Sequence, residues 1–203
     1  MVGSDESFLP ERDRLTSINH YTMLVEITTW YLEMLDPKQL RSVPPGDYKL
    51  LIEQAKIPSP EFSRFLYTSV GGDWYWIDRL DWNYERWLAY LNRPELETWV
   101  AYVSGTPAGY IELEVQPDHN VQIAYFGIMR QFVGQRLGGH LLSFGVERAW
   151  KIGAVRVWVH TCSLDGPFAL ANYLARGFQI YQQEVHTQEL PNQPIGAWQG
   201  AYD

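Results

Sequence analysis

A glycine-containing turn between an apolar strand and an amphipathic helix is the first feature of the sequence that could carry chemistry. The segment runs from Ile123 to Leu142 and places Gly134, Gly138 and Gly139 around the predicted start of the helix. A helix N-terminus presents unpaired backbone N–H groups and the positive end of the helix dipole, and glycine lets a ligand approach the backbone closely. This combination predicts a pyrophosphate cradle, although a tight strand-to-helix turn would have the same pattern.

Other phosphate, metal and nucleophile sites are not indicated. The segment lacks both the Gly-x-Gly-x-x-Gly fingerprint of a Rossmann site and the Gly-Lys-Ser/Thr of a Walker loop. The 5 histidines are scattered without the spacing of metal ligands, so no metal is predicted. Cys162 and His160 have no evident third partner, which favours a thiol in or near the core over a nucleophile.

Two stretches of the chain resemble the GNAT (GCN5-related) superfamily of N-acetyltransferases. The family's loop reads approximately Arg/Gln-x-x-Gly-x-Gly/Ala; here it begins at Val133, Arg136 stands where the first motif glycine usually sits, and Gly138 matches. The second stretch, from Tyr173 to Phe178, resembles the family's Tyr-x-x-x-Gly-Phe signature at the end of its last long helix. The similarity extends over residues 47–184, and the order of predicted elements is that of the family.

The resemblance implies an enzyme that transfers an acetyl group from acetyl-coenzyme A to a primary amine by direct attack. In the family, a splayed strand offers free backbone N–H groups to the pantetheine arm and the acyl carbonyl, and Gly127 would suit a bulge there. The residues that the resemblance assigns to coenzyme A are Phe126, Gly127, Ile128, Val133, Gly134, Gln135, Arg136, Leu137, Gly138, Gly139, Asn172 and Arg176. A non-catalytic acyl-coenzyme A-binding or sensor protein of the same fold is the alternative.

The reaction also needs a proton donor for the departing thiolate and a base for the amine. The resemblance assigns the donor to Tyr173, whose alternative role is an aromatic packing residue with a satisfied hydroxyl. Glu112 and Glu114 are the candidate bases, because they share one strand face in a sheet that is predicted to be covered on both sides. A polar face at an exposed sheet edge would explain the same two carboxylates.

An aromatic and acidic segment between the first two helices is the candidate acceptor site. Three tryptophans alternate there with aspartates, and this combination binds cationic amines by charge and by cation–π contact. In the family, the same region borders the acceptor. The predicted acceptor-binding residues are Trp74, Trp76, Asp78 and Trp82. The competing interpretation is that the aromatic rings cover the core while the acids face water.

Composition limits the classes of partner. The chain has 203 residues and a formal net charge of -8, which disfavours nucleic acid, and its single cysteine excludes an internal disulfide. Basic residues dominate between Arg130 and Arg176 and acidic ones precede them, a division suited to an anionic cofactor and a cationic acceptor. Without a signal peptide or a membrane-spanning apolar run, the predicted location is the cytoplasm. The expected partner is a small-molecule or peptide amine, with a homodimer left open.

Periodicity and turn residues predict the elements that position these groups. The order is strand, strand, two helices, a three-strand meander, helix, strand, helix and strand. Asp165 is predicted to cap the last helix, which Gly177 ends. The expected fold is α/β: a GNAT-like mixed, mostly antiparallel central sheet with helices on both faces. Its predicted divisions are an N-terminal extension with an extra strand (1–46), an acetyltransferase domain (47–186) and a C-terminal tail (187–203).

Overall fold

A computed structural model describes residues 22–46, 49–198 and 200–201. In chain order the elements are β1 (Thr22–Met34), β2 (Leu50–Gln54), α1 (Pro60–Gly71), α2 (Tyr84–Leu91), β3 (Leu96–Val103), β4 (Thr106–Gln116), β5 (Asn120–Ile128), α3 (Leu137–Ile152), β6 (Arg156–Cys162), α4 (Ala169–Arg176) and β7 (Gln179–Pro191). This confirms the predicted order. Tyr21 and Asp47, the predicted first residues of two strands, lie outside the described residues.

The seven strands form one sheet in the order β2-β3-β4-β5-β6-β1-β7. Every neighbouring pair is antiparallel except β5 and β6, which are parallel because α3 connects them as a crossover. The mixed, mostly antiparallel sheet predicted from the sequence is therefore confirmed.

Helices cover both faces of this sheet, and strand alternation explains which residues face which layer. On one face Val70 of α1 packs with Tyr110 of β4 in a small cluster. On the other face Leu141 of α3 and Ile111 of β4 belong to a larger cluster. Since successive strand residues point to opposite faces, Glu112 must face the layer of α1 and α2.

The N-terminal extension is part of the sheet. β1 lies between β6 and β7 and is antiparallel to both, so residues assigned to an extension from the sequence complete the sheet that follows them. β7 also continues to Pro191, past the predicted domain end at residue 186. The divisions at residues 46 and 186 separate stretches of sequence but do not separate packed units.

The chain after β1 crosses the ends of α3 and α4. The amide of Arg41 donates to the carbonyl of Arg176 (2.9 Å), and His140 Nδ1 donates to the carbonyl of Val43 (2.8 Å). Gly177 adopts a φ of +103° at the end of α4, and a Cβ there would lie 2.0 Å from the carbonyl oxygen of Gln39. Glycine is thus required at this position both for the helix end and for the segment packed over it.

Candidate acyl-transfer site

The central feature of the candidate site is a gap between β5 and β6. The two strands pair only from Asn120 to Gln122, although β5 continues to Ile128. A β-bulge follows at once, since Leu113 pairs with Ile123 but Glu112 pairs with Tyr125, which leaves Ala124 as an extra residue. A bulge bends its strand and ends regular pairing. The facing edges of β5 and β6 therefore separate beyond the bulge.

Gly127 is not the bulge residue, contrary to the prediction. It pairs regularly with Tyr110 on β4. A Cβ at Gly127 would lie 2.3 Å from Val70 Cγ1 and 3.8 Å from Trp76 Cη2. The glycine therefore lets α1 and the Trp76 indole pack directly on the backbone of β5, beside the gap.

The loop before α3 contains two residues in the left-handed backbone region and leads into an uncapped helix. Gly134 and Arg136 both have positive φ angles, of +83° and +63°. Arg136 thus holds a left-handed conformation at the position where the family's motif usually has glycine, at a cost of about 1–2 kcal/mol for an L-residue. No side chain caps the helix at Arg136, so the first N–H groups of α3 keep their capacity for a ligand.

Residues from three elements meet around the first turn of α3. A Cβ built on Gly138 would lie 3.5 Å from Ile128 Cγ1, 3.8 Å from Asn172 Nδ2 and 4.0 Å from Phe126 Cζ. The Arg176 guanidinium lies beside the next glycine, Gly139. The structure therefore brings together β5, α3 and α4 residues that the sequence assigned to one ligand. Of the others, Val133 is exposed, Leu137 is buried in the core and the Gln135 side chain bonds to the Gln131 carbonyl.

Tyr173 lies under the open part of β5. Its ring meets Phe126 edge-on, with 6.1 Å between ring centroids, and only 5% of the residue is exposed. Burial raises the pKa of its phenol, and the nearby Asp165 charge adds to this rise. The phenol is therefore protonated at neutral pH and has a proton to donate.

Glu112 occupies a buried ion-pair cluster, which argues against its assignment as a base. Its Oε1 accepts from Arg79 Nη2 (2.9 Å) and from the Tyr90 hydroxyl (2.5 Å), and its Oε2 lies 3.4 Å from Arg79 Nη1. Glu112 is 2% exposed and Arg79 5%. With both oxygens engaged and no access to solvent, this carboxylate neutralises a buried guanidinium.

Glu114 and Trp82 also serve the chain's own arginines. Glu114 forms an ion pair with Arg93 (2.8 Å), and it is more exposed than Glu112. The face of Trp82 is covered by Arg79, 4.9 Å from the ring centroid, and by Arg86, at 4.5 Å. The cation–π capacity predicted for an acceptor at Trp82 is therefore satisfied from within the protein.

Trp74 and Trp76, in contrast, reach the gap. The Trp76 indole N–H donates to Asp165 Oδ1 (3.4 Å), while the far edge of the same ring lies against Gly127. Trp74 packs on Gly166, where an added Cβ would lie 3.3 Å from Trp74 Cζ2. These contacts join the segment after α1 to the ends of both β5 and β6. We call the group of Trp76, Gly127 and Asp165 the open corner.

The predicted role of Asp165 as the N-cap of the last helix is wrong. Asp165 does not cap α4, which begins at Ala169 after Phe168 and has no side-chain cap. Its Oδ2 instead accepts from the Thr161 hydroxyl (2.6 Å) and the Cys162 amide (3.0 Å). The Asp-Gly-Pro turn after an alternating strand was a signal that this residue lies at a strand end.

Asp78 and Cys162, both considered in the sequence analysis, lie near this corner. Asp78 is exposed, and its charge acts on groups at the end of β6. Burial, assisted by Asp165, raises the pKa of the Cys162 thiol. An activated cysteine needs the opposite shift, so the thiol is suited to packing and not to attack.

Within residues 22–46, 49–198 and 200–201, no group of three or more His, Cys, Asp or Glu side chains is placed to hold a metal ion. No helix in the same part of the chain is long and apolar enough to cross a bilayer.

Comparison with known proteins agrees with the fold. Residues 59–178 match the Acetyltransferase (GNAT) family, and the chain belongs to this family of acetyltransferases. No curated protein sequence is significantly similar to the chain.

Solved structures resemble the fold at low sequence identity. A GCN5-related N-acetyltransferase from Kribbella flavida is 18% identical with a TM-score of 0.58, over 81% of this chain and 59% of its own. One from Sphaerobacter thermophilus is 20% identical with a TM-score of 0.54, over 87% and 55%. An aminoglycoside acetyltransferase from an uncultured soil metagenomic sample, in complex with trehalose, is 19% identical with a TM-score of 0.56, over 68% and 93%. The chain thus spans little more than half the length of the first two proteins.

Proposed function

We propose that this protein transfers an acetyl group from acetyl-coenzyme A to a primary amine, which attacks the thioester directly. The observation that carries the proposal is the gap between β5 and β6, with the uncapped N-terminus of α3 and the Tyr173 phenol beside it. Family membership supports the reaction class.

The residues around α3 fit coenzyme A. Gly138 leaves the first helical turn open, and the N–H groups there suit a pyrophosphate. Asn172 and Arg176 add an amide and a cation from α4. When bound, acetyl-coenzyme A supplies the activated acetyl group, and the backbone of β5 beyond the bulge would orient its carbonyl.

Tyr173 would supply the proton that the leaving sulfur needs. The amine attacks in its neutral form, the C–S bond breaks as the C–N bond forms, and the proton that the nitrogen then loses restores the Tyr173 phenol through solvent. Its phenol is protonated because burial raises its pKa, and it lies on the helix that faces the open part of β5. The usual contribution of such proton transfer is about 10²- to 10⁴-fold in rate.

The acceptor class that the site favours is a cationic amine. Asp78 and Asp165 both act electrostatically on Cys162 at the end of β6, and Trp76 offers an aromatic surface there. Opposite charge near the entrance raises the local concentration of cations.

An amine panel tests the proposal. Thiol release from acetyl-coenzyme A should depend on an added primary amine and should be faster with cationic than with neutral or anionic acceptors. In parallel, millimolar acetyl-coenzyme A should raise the Tm of the protein by mass action. A raised Tm without amine-dependent release would favour the non-catalytic binding protein, and no change in Tm would contradict both.

A further inference from the structure

One carboxylate near the gap has no cationic partner among the described residues. Among the described residues, Glu33, Asp73, Glu97, Glu112 and Glu114 each form an ion pair with an arginine. Asp165 forms none with any lysine or arginine of that part of the chain. Its charge is therefore still available to a ligand.

The Asp165 carboxylate is fixed at one oxygen and open at the other. Oδ2 accepts two hydrogen bonds, from Thr161 at 2.6 Å and from Cys162 at 3.0 Å. From the described part of the chain, Oδ1 accepts only the long hydrogen bond from Trp76, at 3.4 Å. Since a carboxylate has about four lone-pair positions, Oδ1 retains capacity for another donor.

This oxygen is linked to the open stretch of β5 through Trp76. The Trp76 ring connects Oδ1 to Gly127 on the open stretch of β5. Burial and, next, the charge of Asp165 raise the pKa of the Tyr173 phenol, so the carboxylate and the proposed acid are close enough to interact. A donor bound to Oδ1 would lie beside the Trp76 indole.

We infer that Asp165 binds the ammonium group of the acceptor through Oδ1, with Trp76 as the aromatic wall beside it. That group then loses one proton to solvent, and the neutral amine attacks the acyl carbon. This assignment rests on the proposed acetyl transfer and names the group that selects a cationic acceptor for it. A merely structural Asp165 would hold the turn after β6 through Oδ2 and would not distinguish acceptors by charge.

The test compares two acceptors in one variant. Asp165→Asn should lower kcat/KM about 10- to 100-fold for a cationic alkylamine, mainly through KM, because a hydrogen bond to a charged group is lost. For an aromatic amine that is neutral at pH 7, the same substitution should lower kcat/KM less than about threefold, because this acceptor offers no charge to the carboxylate. Asp118→Asn, in the exposed turn between β4 and β5, is the matched control and should leave kcat/KM unchanged for both amines.

Several outcomes decide the inference. Equal losses for both amines, or no loss for either, would overturn it. If Asp165→Asn fails to fold, Asp165→Glu should fold and retain the preference for cationic amines; loss of that preference would overturn the inference.

A binding measurement separates this inference from the proposed function. Calorimetry with the alkylamine and coenzyme A should show amine binding to the wild type that Asp165→Asn loses. That result without any thiol release by the wild type would reject the acetyl transfer and keep Asp165 as the cation site. Equal amine binding by both proteins would reject Asp165.

Discussion

Two corners of the molecule each contain a carboxylate beside aromatic rings, but the two carboxylates have different partners. In the first, which we call the filled corner, Glu112 lies among Tyr90, Trp82 and Tyr125, and Arg79 occupies the space between them. In the open corner, Asp165 lies beside Trp76 and Gly127, and no arginine or lysine of the described residues pairs with it.

The difference teaches how to separate structural from ligand-binding carboxylates. A buried carboxylate with both oxygens engaged by a guanidinium and a phenol has its charge balanced inside the fold. A half-buried carboxylate that is fixed at one oxygen presents the other oxygen to whatever enters the gap. Aromatic neighbours alone do not discriminate, since both corners have them.

The largest expected effect belongs to the filled corner. Glu112→Gln should lower the free energy of unfolding by about 3–5 kcal/mol, because it leaves the Arg79 charge buried without a counter-ion. Glu114→Gln on the same strand face should cost only about 0–1 kcal/mol, because its ion pair is partly exposed. Urea denaturation of the two variants measures both free energies of unfolding. Equal losses would show that Glu112 is not needed to neutralise the buried Arg79 charge.

The next effect concerns Tyr173. Tyr173→Phe should reduce turnover with the best amine about 10²- to 10⁴-fold, because the phenol proton is lost. The Tm rise caused by acetyl-coenzyme A should stay as in the wild type, since the ring is kept. Tyr84→Phe, at an exposed position on α2, is the control. Unchanged turnover would remove Tyr173 from the mechanism, and a parallel loss of ligand binding would make it a packing residue.

A smaller effect is expected at the first turn of α3. Gly138→Asp should abolish the Tm rise caused by acetyl-coenzyme A, which at a ligand concentration of 100 Kd corresponds to about 2.7 kcal/mol. The helix itself should persist, because an acidic residue is favourable in a first turn. Gly138→Ala should keep most of the rise, since its Cβ fits at 3.5 Å from Ile128. A full rise in the aspartate variant would place the phosphate elsewhere.

The smallest effect is that of Arg136. Arg136→Gly should raise the unfolding free energy by about 0.5–1 kcal/mol, because relief of the left-handed conformation is partly offset by the freedom of glycine in the unfolded chain. Ser104→Gly, at a φ of 50° in the turn between β3 and β4, should raise the free energy of unfolding by a similar amount. Only the Arg136 variant should bind acetyl-coenzyme A more weakly, by at most about fivefold. Equal affinity in both variants would mean that the guanidinium does not meet the phosphate.

Local sequence pattern was sufficient for the order of the elements. Period-two alternation in β6, helical spacing in α3 and the glycine after α4 depend on neighbours along the chain, so they can be read without the fold. The two motifs also placed Gly138 and Asn172 in one site, and the structure brings them together.

The bulge and the inserted strand were beyond such reading. Gly127 carries the usual signal for a bulge, yet the extra residue is Ala124. The close approach of Val70 is what requires the glycine at position 127. The strand from Thr22 to Met34 was visible as a strand, but its place between β6 and β7 depends on pairing with residues far along the chain.

The sequence by itself determined the family, the mixed sheet and the glycine-containing turn before α3. Only the tertiary structure decided which carboxylates are free for chemistry, because that depends on partners distant in sequence. Glu112 meets Arg79 across 33 positions, and Asp165 meets Trp76 across 89. An aspartate before Gly-Pro can cap a helix or turn back to its strand, and the choice here belongs to contacts that no local pattern encodes.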